Sequence, residues 1–144
     1  MTGETEGRKS SILLIEDNPA DVELFRYVLE SAQVRCDLIV IDDGGEALAF
    51  VQQRGKYQGV APPSLAIVDL NLPRYDGMEI LEAMRANPAF AGVPVVVMSS
   101  SSSPRDRLRI EEPGIGRYIT KPPDLDGYLQ VGLTLKAMLE GVAG

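Results

Sequence analysis

Five residues with reactive side chains stand close after short apolar runs of the sequence. Glu16 and Asp17 follow the first such run, Asp69 the third, Ser99 the fourth and Lys121 the fifth. Carboxylates that converge repel one another, so they bind a cation or raise a pKa. Magnesium suits them, because it takes one or two carboxylates and leaves room for a phosphate oxygen. A carboxylate can also accept a phosphoryl group as nucleophile, while a lysine and a hydroxyl stabilise the phosphoryl oxygens. These residue types therefore indicate Mg²⁺-dependent phosphoryl transfer.

The segments that must position these residues alternate between two periods. Short apolar runs typical of buried strands are each followed by a stretch with helical spacing, five times along the chain. The clearest helix start is Asn18-Pro19, an N-cap residue followed by a proline suited to the first helical position. The predicted strands are Ser11–Ile15, Leu38–Ile41, Leu65–Val68, Val95–Met98 and Tyr118–Ile119, and the predicted helices are Ala20–Ala32, Glu46–Gln53, Met78–Ala86, Pro104–Glu112 and Leu125–Leu139, with Gly141 marking the last helix end.

This alternation predicts an α/β fold, a doubly wound (βα)₅ parallel sheet with helices on both faces. The common open order for five such units is 2-1-3-4-5, which puts the topological switch point between the first and third strands. Ligands bind beyond the carboxyl ends of the strands at that point. Glu16, Asp17 and Asp69 are therefore expected to flank the crevice, with Ser99 and Lys121 beside them.

Composition excludes several classes of function. The 144 residues include 14 Lys and Arg against 21 Asp and Glu, a formal net charge of −7, so binding to nucleic acid or to an anionic membrane is disfavoured. There is no histidine and one cysteine, Cys36, which excludes Ser-His-Asp and Cys-His catalysis and an internal disulfide. The first apolar run is too short for a signal peptide or a membrane span, so we expect a cytoplasmic protein.

Several motifs occur together in one order along the chain. They are Glu16-Asp17-Asn18-Pro19, Asp69-Leu70-Asn71-Leu72-Pro73 with Asp76-Gly77, Ser99 at the end of an apolar strand, and Tyr118-Ile119-Thr120-Lys121-Pro122. From about Ser10 to Gly141 the chain resembles the receiver domain of two-component response regulators. The opening motif and the long connection Arg54–Ser64 look most like the stand-alone regulators paired with bacterial phytochrome histidine kinases.

The resemblance implies a function and a set of residue roles. It implies that a sensor histidine kinase phosphorylates the chain in a Mg²⁺-dependent reaction, and that the chain is no enzyme beyond catalysing its own phosphoryl transfer and dephosphorylation. The implied roles are Asp69 as phosphoacceptor, Asp17 as direct Mg²⁺ ligand, Glu16 as outer acidic partner, the Asn71 backbone carbonyl as another ligand, Ser99 and Lys121 on the phosphoryl oxygens, and Tyr118 as the aromatic switch residue that moves with Ser99.

Two other classes of function stay open. Phosphatases of the haloacid-dehalogenase type also use an aspartate after a strand, but they need a second aspartate two residues on as general acid. This chain has Asn71 there, which cannot serve as that acid. A receiver-like adaptor that works without phosphorylation is the other alternative, and the presence of all the phosphorylation residues counts against it.

Output is expected at the surface formed by the fourth helix, fifth strand and fifth helix. The fifth predicted helix occupies nearly all residues up to Gly144, so we expect signalling through protein–protein contacts with a downstream protein. Phosphorylation should draw the Ser99 hydroxyl towards the phosphoryl group and let Tyr118 rotate inward. The same surface is a candidate interface for a homodimer or for the kinase. Its candidate apolar contacts are Leu108, Ile110, Leu129 and Leu133.

The expected domain organisation is a flexible N-terminus at residues 1–9, a receiver domain at 10–141 and a tail at 142–144. Lys121 is expected to pair with the carboxylates before phosphorylation and with the phosphate afterwards. The Lys121–Pro122 bond is a candidate cis peptide, because the resembled family often turns there and the cis form costs an X-Pro bond only about 0.5–1 kcal/mol.

Overall fold

Five parallel strands form one sheet in the computed structural model, which describes residues 10–72, 74–100 and 117–143. The order β2-β1-β3-β4-β5 confirms the predicted doubly wound α/β architecture. The strands are β1 (Ser10–Ile15), β2 (Cys36–Ile41), β3 (Leu65–Asp69), β4 (Val95–Ser99) and β5 (Arg117–Thr120).

Four α-helices are described around the sheet. They are α1 (Pro19–Ser31), α2 (Gly44–Val51), α3 (Gly77–Ala86) and α4 (Leu125–Ala143), the last being the fifth helix of the sequence prediction. The side chains of Asn18, Asp43 and Asp76 cap the first three by accepting backbone N–H bonds. None of the described helices is long and apolar enough to cross a membrane.

The core lies on both faces of the sheet, because alternate strand residues point to opposite sides. Ile12 and Leu14 of β1 pack with apolar residues of α1 and α4, whereas Leu13 and Ile15 pack with those of α2 and α3. Strands buried on both faces explain the near-continuous apolar runs in the sequence.

Several details differ from the sequence prediction. Two short 3₁₀ turns, Gly55–Tyr57 and Pro88–Phe90, were not predicted. Helix α4 continues through Gly141 to Ala143, because a glycine costs a helix only about 1 kcal/mol and does not oblige it to end. The predicted tail at 142–144 therefore begins within a helix. The predicted helix Pro104–Glu112, with Leu108 and Ile110, and the N-terminal residues 1–9 lie outside the described residues.

The Lys121–Pro122 bond is trans, so the prediction of a cis peptide is wrong. The Lys121 N–H donates to the Ser99 carbonyl oxygen at 2.8 Å, which continues the β4–β5 pairing by one residue. From this extended start the lysine side chain reaches the acidic residues with a trans bond. A cis turn is not needed to bring it there.

Candidate functional site

The strand register brings the predicted residues to one edge of the sheet. Ile15 is opposite Val68, so Glu16 and Asp69 follow neighbouring positions of β1 and β3. Ser99 is the last residue of β4 and pairs with Thr120, which places Lys121 just beyond it. The structure therefore brings Glu16, Asp17, Asp69, Ser99 and Lys121 together at the carboxyl ends of the strands.

Three carboxylates form a compact acidic group at this edge. Glu16, Asp17 and Asp69 each offer an oxygen within 4.8 Å of the others. Glu16 and Asp69 are buried, and Asp17 is the more exposed member. Glu16 Oε2 also accepts a hydrogen bond from the Asn18 N–H at 3.2 Å. Carboxylate oxygens converging beside solvent fit a hard divalent cation that keeps part of its water shell.

Lys121 supplies the positive charge of the site. Its Nζ donates to Glu16 Oε1 at 3.2 Å, to Asp69 Oδ2 at 3.2 Å and to Asp21 Oδ2 at 3.0 Å. The pairing with the predicted carboxylates is the arrangement expected before phosphorylation. Its side chain is 16% exposed, so these ion pairs are screened less than surface pairs.

Burial and charge shift two pKa values here. Burial, the neighbouring Asp69 carboxylate and its negative charge raise the pKa of Glu16 from 4.5 to about 7, against the opposing effect of Lys121. Burial alone lowers the pKa of Lys121, but the hydrogen bond that its ammonium donates to Asp21 and the charges of Asp69 and Glu16 outweigh burial and raise the pKa. Lys121 is therefore a firmly charged ammonium, whereas Glu16 changes its protonation near neutral pH.

Asp21 is a member of the site that the sequence reading missed. It lies in the first turn of α1, where an acidic residue is usually explained by the helix dipole. Its contact with Lys121 joins residues 100 positions apart in the chain. The sequence offers one signal for its role, because Asp21 lies five residues after Glu16, at the start of the helix that follows the site residues at the end of β1.

Asn71 connects the end of β3 to the end of β4. The Asn71 backbone N–H donates to Asp69 Oδ1 at 2.8 Å. The side-chain Oδ1 of Asn71 accepts bonds from the Ser99 hydroxyl at 3.1 Å and from the Ser100 N–H at 3.2 Å. The Ser99 hydroxyl and the Ser100 N–H are thus held by one side chain from the loop after β3. The sequence reading placed only the Asn71 carbonyl in the site and missed this side-chain role.

Tyr118 lies inside the protein in this structure. Its side chain is 4% exposed, and it belongs to the core cluster on the α2 and α3 face of the sheet. It pairs with Val97 in the register of β4 and β5, and Val97 lies two residues before Ser99, the last residue of β4. The ring therefore already occupies a buried position in this structure, whereas the predicted mechanism has it rotate inward on phosphorylation.

Comparison with known proteins gives one consistent likeness. A model of the response regulator receiver domain matches residues 12–131, which include every residue of the site. Response regulator Rcp1 of Synechocystis sp. is 40% identical over 114 residues, covering 79% of this chain and 78% of that protein.

Solved structures give the same likeness. The phosphorylated cyanobacterial phytochrome response regulator RcpA has a TM-score of 0.84 at 32% identity, covering 95% of this chain and 98% of that chain. The Mn²⁺-bound form of Rcp1 has a TM-score of 0.79 at 35% identity, covering 89% and 92%. The likeness thus extends from the fold to sequence over most of the chain.

Proposed function

Since this chain belongs to the response regulator receiver domain family, we propose that Asp69 accepts a phosphoryl group from a histidine kinase in a Mg²⁺-dependent reaction. The observation that carries the proposal is the contact of Lys121 with a buried Asp69 beside two further carboxylates. A solvated surface aspartate would not be held in this way. The same contact argues against an adaptor that does not use phosphorylation.

Asp69 is placed to act as the nucleophile. One of its carboxylate oxygens forms the new bond to phosphorus while the bond from phosphorus to the kinase histidine nitrogen breaks. The Asn71 N–H bond to Asp69 Oδ1 orients the carboxylate for this attack. Lys121 then donates to the phosphoryl oxygens, and Ser99 exchanges its bond to Asn71 for one to the same group. Catalysis is therefore mainly a matter of positioning and charge.

Glu16, Asp17 and Asp69 would hold the cation, with the Asn71 carbonyl as a further ligand. When bound, Mg²⁺ supplies neutralisation of the charge that develops on the transferring group. The donor set of hard oxygens supports this choice, as does the similarity to Rcp1, a protein with a Mn²⁺-bound form.

The experiment that tests the proposal compares Asp69→Asn with wild type and with Asp42→Asn, an exposed aspartate after β2. Incubation with acetyl phosphate and Mg²⁺, followed by intact-mass measurement, should add one phosphate to wild type and to Asp42→Asn. Asp69→Asn should take up none, and chelation of Mg²⁺ should abolish labelling of wild type. Labelling of Asp69→Asn at the wild-type rate would show that another residue is the phosphoacceptor.

The partner proposed for the chain is a phytochrome-type histidine kinase in the cytoplasm, where an ATP-dependent kinase would act. The similarity to RcpA and Rcp1 supports this, since RcpA is a phytochrome response regulator. Output would pass through protein–protein contacts with a downstream protein or through a homodimer. The surface involved would be formed by the predicted helix Pro104–Glu112, β5 and α4.

Tyr118 is proposed to couple the site to that surface, because its strand neighbours the one that ends in Ser99. In a comparison of partner binding with and without beryllium fluoride, a phosphate mimic, Tyr118→Ala should lose the response that wild type shows. Equal responses would remove Tyr118 from the mechanism.

A further inference from the structure

We propose that Asp21 is a positioning residue that competes with the phosphoryl group for the ammonium of Lys121. The inference rests on the proposed function, in which Lys121 donates to the phosphoryl oxygens. It gives a role in the reaction to a carboxylate of α1 that lies outside the predicted site. Its consequence is that Asp21 limits how tightly the site holds a phosphoryl group.

The geometry leaves Lys121 no spare donor. An ammonium has three N–H bonds, and Nζ lies within hydrogen-bond distance of Asp21, Glu16 and Asp69. The bond to Asp21, at 3.0 Å, is the shortest of the three. The Asp21 side chain is 21% exposed, so this pair is partly shielded from water. Any new acceptor must therefore replace one of these carboxylates.

Asp21 differs from the other two acceptors in where it stands. Glu16 and Asp69 lie at the ends of β1 and β3, and Asp69 is the residue that would carry the phosphoryl group. Asp21 draws the ammonium towards α1 instead. A charge-assisted hydrogen bond with little exposure is about twice as strong as a neutral one. Removing the Asp21 carboxylate should release one donor and leave more of the Lys121 charge for the phosphoryl oxygens.

A purely structural role for Asp21 makes a different prediction. An acidic residue in the first turn of α1 stabilises the helix through its dipole, and that effect needs no contact with Lys121. Glu23 is the matched control, because it is the next acidic residue of the same helix and pairs with Arg26 at 3.5 Å. Its side chain is 76% exposed. Removing it changes the net charge equally without touching the contacts of Lys121.

The first measurement is the affinity for beryllium fluoride in the presence of Mg²⁺. It is determined by NMR titration of wild type, Asp21→Asn, Asp21→Ala and Glu23→Ala. Asp21→Ala should bind about three- to tenfold more tightly than wild type, because the competing charged acceptor is gone. Asp21→Asn should lie between them, since its neutral oxygen still accepts a weaker bond. Glu23→Ala should bind as wild type does.

The second measurement is the ¹H–¹⁵N signal of the Lys121 ammonium in the protein without beryllium fluoride. Three hydrogen bonds should slow its exchange with water enough to give a signal in wild type and Glu23→Ala. In Asp21→Ala that signal should shift or disappear. A helix-dipole role would leave it unchanged, because the dipole acts at the backbone of α1.

The outcomes separate the inference from the proposed function. Equal affinities of Asp21→Ala and Glu23→Ala, or a Lys121 signal absent in wild type or unaffected by Asp21→Ala, would overturn the inference alone. Failure of wild type to bind beryllium fluoride would overturn the proposed function, and this inference with it.

Discussion

At the residue scale, the site carries more negative than positive charge. Glu16, Asp17 and Asp69 converge within 4.8 Å, and Lys121 supplies one positive charge that it shares with Asp21 as well. The attraction within a buried ion pair offsets the cost of removing the charges from water only when the neighbouring charges are also neutralised or hydrogen-bonded. A divalent cation would neutralise the excess negative charge of the three carboxylates. A ligand that binds only the folded state also raises the free energy of unfolding. The cluster is therefore a site where cation binding and stability are linked.

Glu16 makes that linkage depend on pH. Its pKa is about 7 in the folded protein and 4.5 as an ordinary carboxyl, so the folded state holds its proton more firmly. Its contribution to stability is fully present below pH 4.5 and is lost as the pH rises through 7. Without divalent cation, the free energy of unfolding of wild type should fall between pH 5 and 8 by about 1–3 kcal/mol. Urea denaturation in the presence of a chelator measures this.

Glu16→Gln serves as the decisive variant, because it keeps the shape of the side chain but cannot titrate. It should flatten the pH dependence over this interval, whereas Glu23→Gln should retain it. Cation affinity of wild type should rise over the same interval, since Mg²⁺ favours the ionised carboxylate. A wild-type stability that does not change between pH 5 and 8 would contradict the raised pKa.

At the element scale, α4 is held against α1 through a close approach of their backbones. A Cβ at Gly132 would lie 2.8 Å from the Val28 carbonyl oxygen, a distance that real Cβ atoms essentially never show. Tyr128 of α4 also meets Phe25 of α1 edge to face, with ring centroids 6.0 Å apart. This packing keeps the start of α4, and the loop that carries Lys121, beside the helix that carries Asp21.

Gly132→Ala should therefore destabilise the protein. The helix gains up to about 1 kcal/mol in intrinsic propensity, but displacing a backbone neighbour typically costs about 1–3 kcal/mol. We expect a net loss of roughly 1 kcal/mol in chemical denaturation. Gly141→Ala is the control in the same helix, because a Cβ there meets nothing within 4 Å. If the two variants are equally stable, the close approach at Gly132 does not constrain the packing.

The strands and most of the site were predictable because parallel strands put their carboxyl ends on one edge. That rule brought Glu16, Asp69 and Lys121 together from runs far apart in the sequence. The role of Asp21 was not predictable, since it depends on how α1 sits relative to β5 and no local pattern encodes that distance. The burial of Tyr118 likewise depends on packing. The end of the last helix was misjudged because a glycine permits a helix end without requiring one.

At the scale of the whole molecule, the chain has a net negative charge, and a few large apolar side chains are exposed on the described surface. Large apolar side chains are exposed at Tyr27, Leu125 and Leu133 among the described residues. Leu125 and Leu133 belong to α4, and the partly buried Leu129 lies midway between them. Residues spaced by four lie along one side of a helix. This stripe is where α4 would contribute to the proposed homodimer.

Leu133 offers a direct test of that interface, because its side chain is 52% exposed and so adds little to the core. If a homodimer forms through α4, Leu133→Ser should weaken it about tenfold or more, since burying a leucine contributes about 1.5–3 kcal/mol. Sedimentation velocity over a concentration series, with and without beryllium fluoride, measures the dimer constant. Tyr27→Ser is the matched control, an equally exposed apolar residue on α1 that should leave the constant unchanged. A dimer that Leu133→Ser leaves intact, or that Tyr27→Ser dissolves, would place the interface elsewhere and assign the α4 stripe to another partner.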